Sequence, residues 1–222
     1  MITLSVDTAA HLCAACIYDA SRDQVLARCV EDIGRGHAER LFTVIETALN
    51  NAAVGYDDVQ QLGVCVGPGS FTGVRIAVAA VRGFSLALSV PASGVTVFDG
   101  LALEAPRGRP FLVLLDARRG EVYARLYDET GAAVSPPAAL SLFDAQKLAQ
   151  RHDAALIGSG ASLMTDAGWT IYSEAATAPV ETIARLAADA GSQREKPKPL
   201  YLRAADAKPQ TGFAVQRLSV ES

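Results

Sequence analysis

A strand-turn-strand pattern that occurs twice constrains the fold of this chain more than any other feature. In the first copy an apolar run ends at Asp7, and the next run ends with Tyr-Asp at residues 18–19. The second copy has Asp116 and Tyr-Asp at residues 127–128, so these positions repeat at an offset of 109. A fixed offset in the same local context indicates an internal duplication. The chain is therefore predicted to fold as two related halves.

The segments around the repeat alternate between strand-like and helical periodicity. Strands are predicted at residues 2–6, 12–18, 24–30, 62–66, 90–96, 154–157 and 169–172. Helices are predicted over His37–Ala52, over residues 72–88, in a short segment ending at Ala105, and over residues 143–151 and 180–190. The pattern predicts a duplicated α/β fold with a lobe of residues 1–106, a smaller lobe of residues 107–206, and a flexible tail of residues 207–222.

Each half places an aspartate where its first strand ends, at Asp7 and Asp116. Two such turns facing one cleft are the general plan of the actin, hexokinase and Hsp70 class of ATP-binding folds (ASKHA), and the chain resembles that class. Asp7, Thr8 and Asp116 are therefore candidate residues of a vestigial nucleotide cleft. The alternative is that both aspartates only accept backbone N–H bonds within their own turns, as aspartate commonly does.

The glycine-rich string GPGSFTG at residues 67–73 follows a strand and opens a helix, as phosphate-binding loops do. It lacks the Gly-Lys-Ser/Thr end of a Walker A loop, and its third glycine comes one residue too late for G-x-G-x-x-G. We therefore predict a tight turn in which Ser70 or Thr72 is the N-cap of the helix, and no nucleotide bound by this string.

The histidines and cysteines do not form a metal-binding pattern in the sequence. The three histidines are scattered, without partners at the spacing of metal ligands. Cys13 and Cys16 form C-x-x-C, but residues three apart in a strand point to opposite faces, so core packing is favoured over metal or redox chemistry. A triad of Ser70, His37 and Asp7 is not excluded, although Ser70 lies in no nucleophile-elbow motif.

Composition limits the classes of partner. The net charge of −4 and the pI near 5.4 argue against direct binding of nucleic acid, because phosphate binding requires a concentrated cationic face. The mean hydropathy of +0.20 indicates slightly more apolar surface than average. No uninterrupted apolar run reaches the roughly 18 residues that span a bilayer, and no basic leader follows Met1. The sequence predicts a cytoplasmic protein that does not enter a membrane.

The predicted helix over residues 72–88 is apolar or small on almost every side. Its core face carries Val74, Val78 and Val81. A stripe of small or apolar residues lies beside that face, at Gly73, Ile76, Ala80, Gly83 and Ala87. A helix of this kind is normally buried on more than one side. Two interpretations remain open: the second lobe of the same chain covers the helix, or another protein does.

Five strings in the correct order identify the chain as similar to one family. They are VDTA at residues 6–9, HAERL at 37–41, GPGSFTGVR at 67–75, DARRGEVY at 116–123 and YLR at 201–203. The strings span almost the whole chain, and GPGSFTGVR and DARRGEVY are too specific for chance. The chain resembles the TsaB (YeaZ) family.

The resemblance implies a non-catalytic subunit that binds TsaD, its catalytic paralogue. TsaD transfers threonylcarbamoyl to the adenosine next to the anticodon of tRNAs that read codons beginning with A. TsaE, an ATPase, is the transient third component. The resemblance further implies indirect contact with tRNA, with no cofactor bound by this chain alone and ATP or ADP as candidate ligands at the complex interface. Since an exposed apolar patch can also pair with itself, the isolated chain is predicted to form a homodimer.

The family's interface helices correspond here to the first two predicted helices. The residues expected to contact the partner are His37, Leu41, Phe42, Ile45, Phe71, Arg75, Ile76, Ala79, Ala80, Arg82, Gly83 and Leu86. The metal-binding H-x-x-x-H pair of TsaD corresponds to Val97 and Leu101, neither of which binds a metal. The alternative function is an ATP-dependent small-molecule kinase of the same fold class, suggested by the two aspartate turns.

Overall fold

The two copies of the repeat form the centres of two five-stranded sheets in a computed structural model, which describes residues 1–165, 168–191 and 196–203. The first sheet has the order β3-β2-β1-β4-β5 and contains β1 (Ile2–Asp7), β2 (Leu12–Asp19), β3 (Gln24–Asp32), β4 (Val59–Cys65) and β5 (Ala92–Val95). The second has the order β8-β7-β6-β9-β10 and contains β6 (Phe111–Asp116), β7 (Glu121–Tyr127), β8 (Ala138–Ser141), β9 (Ala155–Ile157) and β10 (Ile171–Ser173).

The two sheets share one topology. In each, the first three strands form an antiparallel meander and the last two pair parallel to the central strand and to each other. Asp7 ends β1 opposite Ala14, and Asp116 ends β6 opposite Val122, so the repeated aspartates occupy equivalent places. The predicted duplicated α/β fold of the actin, hexokinase and Hsp70 class is confirmed.

Among the described residues, five helices connect and cover the sheets: α1 (His37–Ala52), α2 (Phe71–Leu88), α3 (Val97–Glu104), α4 (Leu142–Arg151) and α5 (Val180–Asp189). The bounds of α1 agree with the sequence prediction, and α2 begins one residue earlier than predicted. Short 3-10 helices lie at Tyr56–Asp58 and Ala161–Leu163. The predicted tail, residues 207–222, lies outside the described residues.

Both faces of the first sheet are buried, because β2 alternates its side chains between two cores. Cys13, Ala15 and Ile17 face the large core that α1 and α2 complete, whereas Ala14 and Cys16 face α5. Cys13 and Cys16 therefore point to opposite sides, as predicted, and all four cysteines of the chain are free.

The second half of the chain packs on the first sheet, and the predicted boundary between residues 106 and 107 stays a prediction. Its helix α5 packs on β1, β2 and β4 of the first sheet. Ala14 and Cys16 lie on the face of β2 that points away from α1 and α2. This face requires an apolar cover, and α5 provides it. The large core also continues from α3 into Phe111 and Val113 of β6, so the two halves share apolar packing.

Candidate protein interface

Helix α2 begins at a capped turn. The Ser70 Oγ accepts a hydrogen bond from the Gly73 backbone N–H at 3.2 Å, which satisfies one of the free donors at the helix start. Ser70 is thus the N-cap, one of the two candidates that the sequence predicts. Its hydroxyl is used structurally, rather than as the nucleophile of a triad.

The glycines of this turn allow it to lie directly on the turn between β1 and β2. A Cβ on Gly69 would lie 2.2 Å from the Ala9 carbonyl oxygen, and a Cβ on Gly73 would lie 2.0 Å from the Thr8 carbonyl oxygen. Two hydrogen bonds of 2.7 Å join the same segments, from the Ser70 N–H to the Ala9 carbonyl and from the Thr8 hydroxyl to the Gly73 carbonyl. The first aspartate turn therefore holds the start of α2.

One side of α2 is left uncovered by the described residues. Gly73, Val74, Ala77, Val78 and Val81 are buried against the first sheet. The exposed and half-buried residues form a surface that we call the α2 face: Phe71, Arg75, Ile76, Ala79, Ala80, Arg82, Gly83 and Leu86. Leu86 is 84% exposed and Phe71 52% exposed, which is unusual for large apolar side chains. The sequence left two possible covers for α2, the second lobe or another protein. Since the described residues leave this side exposed, cover by another protein stays open.

Three of the four residues predicted on α1 as partner contacts are buried within the chain. Leu41 and Ile45 are completely buried in the chain's own core, and His37 is 7% exposed, with its Nε2 lacking a hydrogen-bond partner within the described residues. Their spacing places them on the side of α1 that packs on β2 and β3, so they do not reach a partner. Phe42 alone of the predicted α1 residues is exposed, at 53%.

Aromatic rings extend the α2 face toward α1. The rings of Phe42 and Phe84 lie 5.7 Å apart between centroids, and Tyr56 stacks on Phe84 at 5.4 Å. Helical periodicity does not indicate Tyr56 as part of this surface, because Tyr56 lies in a short 3-10 helix outside both predicted helices. Such clusters place large apolar area at protein interfaces.

A second cluster lies at the start of α2. The Arg75 guanidinium carbon is 3.7 Å from the centre of the Phe71 ring, and the Arg75 Nε donates a 2.7 Å hydrogen bond to the Tyr201 hydroxyl. Phe71 and Tyr201 also contact each other, with centroids 5.4 Å apart. Tyr201 belongs to the YLR string, but nothing in the sequence indicates that it meets a helix 126 residues earlier.

The first aspartate of the repeat is buried beneath this region. Asp7 is 3% and Thr8 0% exposed, and the Asp7 Oδ1 accepts a 2.7 Å hydrogen bond from the Ala9 N–H. Burial raises the pKa of Asp7, an effect that its hydrogen bonds and the neighbouring His37 oppose. Burial beside Asp7 also raises the pKa of the Cys65 thiol well above its usual value.

The second aspartate is held within its own turn. The Asp116 Oδ1 accepts a 2.7 Å hydrogen bond from the Arg118 N–H, and its other oxygen lies 3.2 Å from the Arg118 guanidinium. Each aspartate therefore supports its own turn, which is the simpler of the two sequence interpretations. The described part of the chain contains no group of three or more histidine, cysteine, aspartate or glutamate side chains placed to bind a metal.

By length and composition alone, α2 also qualifies as a membrane span. Over its 18 residues the mean hydropathy is 1.5, and it is the one such helix within the described ranges. The sequence contains no uninterrupted apolar run of about 18 residues, because Arg75 and Arg82 interrupt α2, but the helix as a whole is long and apolar enough to meet this criterion. The core helix of a soluble protein passes the same test, and α2 lays its valine face on the first sheet.

Comparisons with known proteins point to one family. The sequence profile described as TsaD, tRNA N6-adenosine threonylcarbamoyltransferase, matches residues 30–190. The tRNA threonylcarbamoyladenosine biosynthesis protein TsaB of Bacillus subtilis is 32% identical over 131 residues, which are 57% of this chain and 55% of that protein. TsaB of Escherichia coli is 32% identical over 136 residues, 59% of this chain and 58% of that protein. The match thus spans a little over half the length of these curated relatives.

Solved structures agree over a longer span. YeaZ from Pseudomonas aeruginosa superposes with a TM-score of 0.73 at 27% identity, covering 90% of this chain and 99% of that one. A second solved structure from that organism, of a protein described as similar to the peptidase YEAZ, superposes with a TM-score of 0.76 at 25% identity and covers 91% of this chain and 99% of that one. The similarity therefore includes both halves of the duplicated fold.

Proposed function

The chain belongs to the TsaD family and, within it, to the TsaB (YeaZ) group, and from this premise we propose that it acts in the biosynthesis of threonylcarbamoyladenosine in tRNA. Its proposed role is that of a non-catalytic subunit that binds TsaD. TsaD then transfers threonylcarbamoyl to the adenosine next to the anticodon of tRNAs that read codons beginning with A. This chain supplies a docking surface and activates its partner.

The observation that carries the proposal is the α2 face. Gly83 lies inside this helix, where glycine costs roughly 0.5–1 kcal/mol relative to alanine. A Cβ at Gly83 would have no atom within 4 Å, so packing within the chain gives no reason for a glycine. With Ala79 and Ala80 beside it, Gly83 allows a second helix to approach closely. Such a contact is the physical benefit that offsets the loss of helix stability.

The positions that correspond to the metal-binding histidines of TsaD support a non-catalytic role, because here they hold aliphatic residues. Val97 and Leu101, at the positions of the TsaD metal-binding pair, are 0% and 2% exposed aliphatic side chains in the core. Asp7 is enclosed by the chain itself, which disfavours the alternative of an ATP-dependent kinase. We therefore place the chemistry in the partner protein.

The remaining partners follow from the same proposal. TsaE is proposed as a transient component, and tRNA as a ligand held mainly by TsaD. ATP or ADP is proposed only at the interface of the complex, and the isolated chain is proposed to form a homodimer through the α2 face. The expected compartment is the cytoplasm.

Reconstitution tests the proposal. Threonylcarbamoyl transfer to tRNA is measured with TsaD and TsaE, with and without this chain. The expected result is transfer that depends on this chain and co-elution of the chain with TsaD. Transfer at the same rate without the chain would overturn the proposal, and turnover of ATP by the chain alone would favour the kinase alternative.

A further inference from the structure

Arg75 is held on the surface of the protein by two contacts. Its guanidinium stacks on Phe71, and its Nε–H is used by the Tyr201 hydroxyl. Within the described residues, the two terminal nitrogens of Arg75 have no hydrogen-bond acceptor, so they can donate to a group on another molecule. Phe71 and Tyr201 are each about half exposed, so the cluster lies on the surface rather than in the core.

The segment that carries Tyr201 is itself anchored at both ends. The Leu200 N–H donates to the Val66 carbonyl at 2.8 Å, beside the start of the α2 turn. Arg203 donates to the Ala117 carbonyl at 3.0 Å and pairs with Glu121, both in the second half. Tyr201 is therefore fixed between the two halves and presents its hydroxyl to Arg75 from a rigid base.

Within the described residues, the α2 face carries positive charge and no acidic side chain of its own. Arg75 and Arg82 are its charged residues, and α2 contains no acidic side chain. Among the described residues neither arginine takes part in an ion pair. A partner that covers this face removes water from the guanidinium groups, which is costly unless the partner supplies negative charge.

We infer that Arg75 is the anchor with which the α2 face binds a carboxylate on a helix of TsaD, and that Tyr201 is a positioning residue that holds Arg75 for this contact. The inference rests on the proposed function, since it assigns the chemistry of the partner at the same face. A planar guanidinium already fixed by stacking loses less freedom when it binds a carboxylate through two hydrogen bonds. A second copy of this chain fits less well, because α2 against α2 brings arginines together.

Affinity for TsaD tests the inference through three variants and a control. Arg75→Ala is expected to weaken binding about 30-fold, as loss of a central arginine contact commonly does. Tyr201→Phe keeps the ring but loses the hydroxyl, and should weaken binding about fivefold. In the double variant, Tyr201→Phe should add nothing to Arg75→Ala, because its effect acts through Arg75. Arg151→Ala, on α4 and exposed, removes the same charge elsewhere and should bind like the natural chain.

Salt dependence separates charge pairing from packing. Raising the salt concentration should weaken binding of the natural chain more steeply than binding of Arg75→Ala, since screening acts on the ion pair. An Arg75→Ala variant with unchanged affinity would overturn the anchor, and a Tyr201→Phe effect that persists without Arg75 would overturn the positioning role. Weaker self-association of Arg75→Ala together with unchanged affinity for TsaD would assign the carboxylate to a second copy and overturn the TsaD contact. A natural chain that fails to bind TsaD would overturn the proposed function as well.

Discussion

Replacing Gly83 by alanine should stabilise the isolated protein. Gly83 is exposed within α2, and a Cβ built there meets no atom within 4 Å. Its backbone lies outside the left-handed region, so alanine adopts the same conformation without strain. The expected gain is the difference in helix propensity, about 0.8 kcal/mol. In a domain of this size, that gain raises the Tm by about 2–3 °C, measured by circular dichroism.

The same position should respond in the opposite way when binding is measured. Arginine is a good helix former, so Gly83→Arg should leave the fold of the isolated chain intact. Its long side chain, however, would separate the α2 face from any closely packed helix, and binding to TsaD should fall below detection. Gln150→Arg, which adds the same side chain on exposed α4, is the matched control and should bind normally.

The two measurements together refute or support the reasoning. Destabilisation by Gly83→Ala would show that the glycine is required within the chain itself, which removes the reason to infer a partner there. Unchanged binding by Gly83→Arg would place the interface elsewhere. Only a more stable fold with weaker binding is the pattern expected of a glycine kept for an interface.

Three further outcomes follow from buried residues of the first sheet and of the turn that begins α2. Gly73→Ala should cost about 3 kcal/mol of folding free energy, measured by urea unfolding, because its Cβ would overlap a backbone carbonyl. The pKa of Asp7 is raised in the folded chain from 3.8, so the natural protein should lose stability as pH rises from about 4 through that folded pKa. Asp7→Asn cannot ionise and should lack this loss, so the stability of the natural chain relative to Asp7→Asn should fall over that interval. Burial raises the pKa of Cys13 to about 11 and of Cys16 to about 12, so neither thiol should react with a thiol reagent near pH 8 until the chain unfolds.

Periodicity was sufficient to predict most elements of the fold. The bounds of α1 and the equivalence of Asp7 and Asp116 follow from apolar spacing and from the repeat. The strand β8 at Ala138–Ser141 was missed, because four residues on a sheet edge with alternating exposure carry almost no periodic signal. The packing of α5 on the first sheet is a long-range arrangement, which local pattern does not contain.

The candidate interface was predicted less completely, for a physical reason. An apolar residue at helical spacing indicates burial without saying whether the chain or a partner provides it. Leu41 and Ile45 were therefore assigned to a partner although β2 and β3 cover them. Tyr201 belongs to a family string, but local pattern does not predict its contact with Arg75, because that contact depends on a fold that joins residues far apart in sequence.

The two aspartate turns now support one surface. The first turn holds the beginning of α2 through the Ala9 carbonyl and the Ser70 N–H. The second turn holds Arg203 through the Ala117 carbonyl, and Arg203 fixes the segment that carries Tyr201 to Arg75. The first turn contacts α2 directly, and the second is connected to it through Arg203 and Tyr201. A change in either turn should therefore alter the position of the α2 face, because these hydrogen bonds connect the turns to it.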